Sequence, residues 1–103
     1  MKILVFVSSH CPHCPVAAKV AKRIVQDYRE HGVELERVRT KTPNGKMMSQ
    51  RYGIASVPTL IILDDEENEI KRIVGAPSES SLRADIEKIL GFKRSFFNRI
   101  FGR

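Results

Sequence analysis

Cysteine is scarce in this chain: two of 103 residues, at positions 11 and 14, with none beyond them. Two cysteines so close together make no structural staple in a reducing compartment, and they read as redox or metal chemistry. Long apolar runs are also absent. Residues 1–7 are largely apolar but turn polar at Ser8-Ser9-His10, too short a stretch for a signal-peptide core or a membrane span, so a cytoplasmic protein is expected. Acidic residues are missing from the last 13 positions, where Lys93, Arg94, Arg99 and Arg103 have no counter-charge. Residues 1–90 carry 14 Lys and Arg against 12 Asp and Glu, so the net charge of +6 belongs largely to the tail and argues for no nucleic-acid partner. There is no internal repeat and no sign of a second domain. With 42% hydrophobic and 29% charged residues, the chain has the balance of one globular domain with a single core, expected to be a monomer.

The hydrophobic pattern predicts an α/β order. Lys2–Val7 is a continuous apolar run of strand length, as in a strand buried on both faces. Over residues 12–31, Val16, Ala17, Val20, Ala21, Ile24, Val25 and Tyr28 recur every three or four positions and form a helical stripe. Lys19, Lys22, Arg23, Gln26 and Arg29 fill the opposite face. Pro12 suits the first turn of that helix and Gly32 its end. Residues 33–39 read as a second strand whose alternation slips between Leu35 and Val38. Lys41-Thr42-Pro43-Asn44-Gly45 is turn chemistry, leading into a short helix over residues 46–52 closed by Gly53. Thr59–Leu63 and Glu69–Val74, separated by the polar residues 64–68, form an antiparallel hairpin. Ser78 caps a last helix with stripe Leu82, Ile86, Ile89 and Leu90, ended by Gly91. The order is β-α-β-α-β-β-α: a four-stranded mixed sheet flanked by helices, with the first two strands parallel through a right-handed crossover.

Cys11-Pro12-His13-Cys14 falls where the first strand meets the first helix. Unpaired N–H groups and the helix dipole favour an anion there, so the Cys11 thiolate is stabilised over its thiol. Such settings lower a cysteine pKa from about 8.5 toward roughly 3.5–7.5. Two intervening residues on a helix bring the second sulfur near the first, so Cys11 attacks a disulfide and Cys14 resolves the mixed disulfide. Pro15 stiffens the loop. His13 tunes the thiolate if its imidazole lies near Cys11; otherwise it is a solvated loop histidine, the role expected of His10. A metal reading of His10, Cys11, His13 and Cys14 lacks a second ligand pair, since only His31 follows, and no bound cofactor or metal is expected.

The segment Tyr52-Gly53-Ile54-Ala55-Ser56-Val57-Pro58-Thr59-Leu60, some forty residues after the dithiol, resembles the thioredoxin family's approach to its third core strand. The resemblance covers residues 1 to about 90. It implies the thioredoxin fold, a redox-active Cys11–Cys14 disulfide, and a cis Val57-Pro58 bond packed opposite it. A proline at the start of a buried strand otherwise sits awkwardly. The resemblance further implies a substrate groove in which the Val57 backbone pairs with an extended client segment beside Pro58 and Thr59. Val74-Gly75-Ala76 is similar to the third groove element, where Gly75 and Ala76 leave room. The chain starts directly at its first core strand, like glutaredoxins and the short archaeal redox proteins, which its Cys-Pro-His-Cys-Pro run resembles most. Val5 stands where the family commonly has a buried carboxylate, so Cys14 must lose its proton to water, to His13 or to the leaving group, and slower resolution is expected.

The expected activity is reduction of protein disulfides through Cys11, Cys14, Pro12 and His13, with electrons from a thioredoxin-reductase-like enzyme or from glutathione. Pro-His between the cysteines resembles the periplasmic oxidases, so oxidation or isomerisation is the alternative, with a glutathione-dependent reductase beside it. The domain is expected to span residues 1–91. In the tail at 92–103, Phe92, Phe96, Phe97, Ile100 and Phe101 alternate with basic residues; it either packs on the domain or contacts a partner protein or an acidic lipid surface.

Overall fold

A computed structural model describes residues 1–91, so the reading of the tail lies outside the described residues. The strands are β1 (Lys2–Val7), β2 (Glu34–Arg39), β3 (Thr59–Leu63) and β4 (Glu69–Val74); the helices are α1 (Cys14–Asp27), α2 (Pro43–Arg51) and α3 (Glu79–Leu90). They form one mixed sheet of order β2-β1-β3-β4, with β1 parallel to β2 and antiparallel to β3, and β3 antiparallel to β4. This is the expected four-stranded topology.

Two core layers explain the continuous apolar runs. Ile3, Val5 and Val7 of β1 join Leu60 and Ile62 of β3 beneath Ala17, Ala21 and Ile24 of α1 and Leu82 and Ile86 of α3. Leu4 and Phe6 turn the other way, onto Ile61, Leu63 and Val38, with Met48 and Tyr52 packed outside them. A central strand covered on both faces has no polar side to show, which removes the alternation. Each such side chain contributes about 1.5–3 kcal/mol by leaving water. β2 is an edge strand, and its apparent slip is real two-sidedness: Leu35 packs on the α1 layer and Val38 on the α2 layer.

Three expectations need correction. Helix α1 begins at Cys14, with Pro15 rather than Pro12 in its first turn, and stops at Asp27 before a separate 3-10 turn, Arg29–His31, closed by Gly32. The buried stripe is therefore phased on Cys14, Ala17, Ala18, Ala21, Ile24 and Val25, and Val16 is 54% exposed on the far side. Helix α2 begins at Pro43, so the expected turn residues are its first turn. Thr42 caps it, accepting a hydrogen bond from the Gly45 N–H at 3.0 Å and donating to the Arg39 carbonyl at 2.9 Å. Gly45 is required by close approach: a Cβ there would lie 1.6 Å from the Arg39 carbonyl oxygen. No helix among the described residues is long and apolar enough to cross a membrane.

The far ends of α1 and α3 are tied by polar contacts. Tyr28 donates its hydroxyl to Glu87, and Arg83 reaches Asp27 at 2.7 Å and Glu79 at 3.1 Å. Burial, then the Glu87 hydrogen bond, pushes the Tyr28 hydroxyl above its usual pKa.

Candidate active site

Register places the chemistry at one end of the sheet. Phe6 is opposite Val38 on one side and Thr59 on the other, and Thr59 is opposite Val74. The segments leaving β1, arriving at β3 and leaving β4 therefore meet there.

The first segment carries the cysteines. The Cys11 N–H donates to the Ser8 carbonyl at 3.4 Å and the Cys14 N–H to the Cys11 carbonyl at 3.3 Å, a turn that brings the two Cα atoms to 5.4 Å. Cys11 and Cys14 are joined in a disulfide. Their surroundings differ: Cys14, the first residue of α1, is 3% exposed and belongs to the core layer with Val5 and Val7, whereas Cys11 is half-buried at its margin. His13 is the residue preceding the helix, exposed, and its imidazole makes no hydrogen bond with a described residue; Pro12 and His10 are also exposed. Cys14's amide is used by the turn and Pro15 has none, so direct amide donation to an anion at Cys11 is limited, and the dipole of α1 is the larger aid.

The second segment holds the cis Val57-Pro58 bond. Pro58 and Thr59 are buried, and half-buried Val57 packs against both core layers. The Thr59 hydroxyl donates to the Ser56 carbonyl at 2.7 Å, closing the turn. From the third segment, the Gly75 N–H donates to the Pro58 carbonyl at 2.8 Å, with Gly75 in the left-handed region at φ 95°. Gly75 is half-buried and Ala76 exposed. Cys11, Cys14, Val57, Pro58, Thr59, Gly75 and Ala76, with Pro12 and His13 between the cysteines, thus share one end of the sheet, reached from three places in the sequence.

Among the described residues no carboxylate or histidine is buried in this core: Thr59 and, at the far end, Tyr28 carry its buried hydroxyls, and Val5 is 0% exposed. Nor do the described residues gather three or more His, Cys, Asp or Glu side chains as a metal cage would, the His10 to Cys14 stretch included.

One feature escaped the sequence. Both cysteines line a groove of about 810 Å³ between α1 and the end of β2, whose rim carries Lys19, Lys22, Arg37, Arg39 and Lys41 and no carboxylate. Lys19 and Lys22 look like a solvated helix face until the crossover sets them against β2. The signal available was Arg37 and Arg39 two apart on a strand, hence on one face.

A family model described as a thioredoxin domain matches residues 1–89. A thioredoxin of Methanocaldococcus jannaschii is 36% identical over 90 residues, covering 87% of this chain and 96% of that one. A probable thioredoxin of Archaeoglobus fulgidus is 35% identical over 86 residues, covering 84% and 86%. The solved structure of thioredoxin 1 from the thermophilic eubacterium Thermosipho africanus TCF52B superposes with a TM-score of 0.75 at 26% identity, covering 91% of this chain and 99% of that chain.

Proposed function

The chain belongs to the thioredoxin family, and on that footing we propose that Cys11 is the attacking sulfur and Cys14 the resolving one. The protein is a thiol–disulfide oxidoreductase that reduces protein disulfides. The observation that carries the assignment is the unequal exposure of the two sulfurs: a client disulfide can approach half-buried Cys11 but not Cys14, which is 3% exposed.

In the reduced protein the Cys11 thiolate, stabilised by the start of α1, attacks one client sulfur. The client S–S bond breaks, its second sulfur leaves as a thiolate and takes up a proton, and a Cys11–client mixed disulfide forms. Cys14 then loses its proton and attacks the Cys11 sulfur. The mixed disulfide breaks, the first client sulfur leaves, and the Cys11–Cys14 disulfide remains, the state of this structure. Two electrons have moved from the protein dithiol to the client. Pro12 and His13, between the sulfurs, stiffen and tune the couple. The client lies extended across Val57, Pro58 and Thr59, with Gly75 and Ala76 giving it room. The hydrogen bond from Gly75 to the Pro58 carbonyl supports this reading by joining the two walls.

Electrons return from a thioredoxin-reductase-like enzyme, with glutathione the other donor to test. A cytoplasmic setting belongs to this reading, consistent with the likeness to archaeal thioredoxins, as does division into a catalytic unit at 1–91 and a separate basic aromatic tail at 92–103. The experiment is reduction of a protein disulfide with each single variant. Cys14→Ser should accumulate mixed disulfides with clients and Cys11→Ser none; the reverse pattern overturns the assignment.

A further inference from the structure

Resting on the Cys11 and Cys14 assignment above, we propose that the groove between α1 and β2 selects client disulfides flanked by acidic residues, binding an extended acidic segment of the client protein. Lys19, Lys22, Arg37, Arg39 and Lys41 line it together with both sulfurs, and no carboxylate does. None of these five cations is ion-paired among the described residues, whereas Lys2, Arg23, Lys71, Arg72 and Arg83, all away from the groove, are each paired with a carboxylate. Of the nine described cations outside the groove five are thus neutralised, whereas all five beside the reactive site are left unmatched. Five like charges lining one groove with no counter-charge repel one another and favour an anionic visitor that relieves the repulsion.

The shape points to a chain segment rather than a compact anion. β2 is the sheet edge, so its outer backbone pairs with no strand among the described residues. Lys22 also lines a second depression of about 490 Å³ that continues along β2 past Leu35 to Arg29, with Glu34 as the one carboxylate at its far end. The six residues of β2 span about 20 Å. That length matches an extended segment of about six residues running from the client cysteine toward Arg29. The competing account is that the cations merely protect an exposed edge strand from aggregation, and it requires no preference among clients.

The experiment uses the full chain and disulfide-closed peptides that differ only in flanking Glu, Ser or Lys residues. Acidic flanks should exceed basic ones in kcat/KM by on the order of tenfold at about 0.05 M salt, falling to about twofold at about 0.5 M. Arg37→Gln with Arg39→Gln, and separately Lys19→Gln with Lys22→Gln, should shrink the ratio; Lys46→Gln with Lys88→Gln, equal in charge lost but outside the groove, should not. Equal rates for the three peptides would overturn the proposal, as would a preference that responds equally to the control variant. So would competition by oxidised glutathione as strong as by the acidic peptide, which would make the groove a small-anion site. If no peptide of any charge is reduced, the Cys11 and Cys14 assignment fails instead.

Discussion

Replacing Gly45 by alanine sets two physical effects against each other with opposite signs. Gly45 lies in the first turns of α2, where alanine should stabilise a helix by about 1 kcal/mol over glycine. Its Cβ, however, would sit 1.6 Å from the Arg39 carbonyl oxygen, 2.5 Å from its carbon and 2.9 Å from the Thr42 hydroxyl oxygen. The first two are backbone atoms, and the oxygen must move beyond 3.0 Å. The same oxygen accepts from Thr42, and Thr42 accepts from the Gly45 N–H, so the movement breaks the cap as well. Losing a cap costs about 1 kcal/mol and forcing atoms into a packed site about 1–3. The clash outweighs the propensity gain, leaving a net loss of about 1–3 kcal/mol. At about 4–8 °C per kcal/mol for a domain of this size, the melting temperature should fall by roughly 5–20 °C. Thermal unfolding followed by circular dichroism tests this, with Thr42→Ala as the reference for the cap alone, expected to lose about 1 kcal/mol. A Gly45→Ala protein that melts at or above the parent temperature would refute the close-approach account and the placement of α2 against the end of β2.

Two further outcomes concern single side chains. On the reading that His13 tunes Cys11, His13→Ala should make the Cys11/Cys14 couple more reducing by roughly 10–30 mV, through loss of an interaction that favours the thiolate and hence the reduced form; an unchanged potential in a glutathione redox titration would leave His13 a solvated residue, as its exposure in the disulfide form has it. Tyr28 is raised by burial and by Glu87, so its share of stability is complete below the unfolded pKa near about 10 and is lost as pH climbs through the higher folded value. Parent protein should therefore lose denaturation midpoint above that pH more steeply than Tyr28→Phe, which should start about 1 kcal/mol lower at neutral pH; parallel profiles would contradict the Tyr28 shift.

How far the sequence reached depended on whether a residue's meaning is local. β1, β3 and β4 are legible because a buried run or a hairpin declares itself within a few residues, and α3 because Ser78 and Gly91 mark both ends. The start of α1 was not, because Pro12 and Pro15 both suit a first turn and only the burial of Cys14 decides between them. Pro43-Asn44-Gly45 has the composition of a turn and of a helix start alike; contact with the Arg39 carbonyl, made by tertiary packing, settles it. The cysteine pair and Pro58 stood out as motifs, and the cis bond implied by the resemblance is present. The cation groove could not stand out, since α1 and β2 contribute to it from opposite sides of a crossover.

The same crossover bears on how Cys14 gives up its proton. Burial at 3% exposure raises a thiol's pKa, and no buried carboxylate is at hand among the described residues to accept the proton. Opposing burial are the start of α1 and the cations around the groove that Cys14 also lines, whose positive potential favours the thiolate. On the proposed assignment, a fixed potential would do the work that an internal base would do, by favouring the Cys14 thiolate without taking the proton. Resolution of the mixed disulfide should then track ionisation of Cys14 itself, rising about tenfold per pH unit below its pKa, and should slow as salt screens the groove. Single-turnover quenching of the mixed disulfide across pH and ionic strength measures both. A rate that levels off well below the thiol's titration and ignores salt would mean that a base within the protein takes the proton after all.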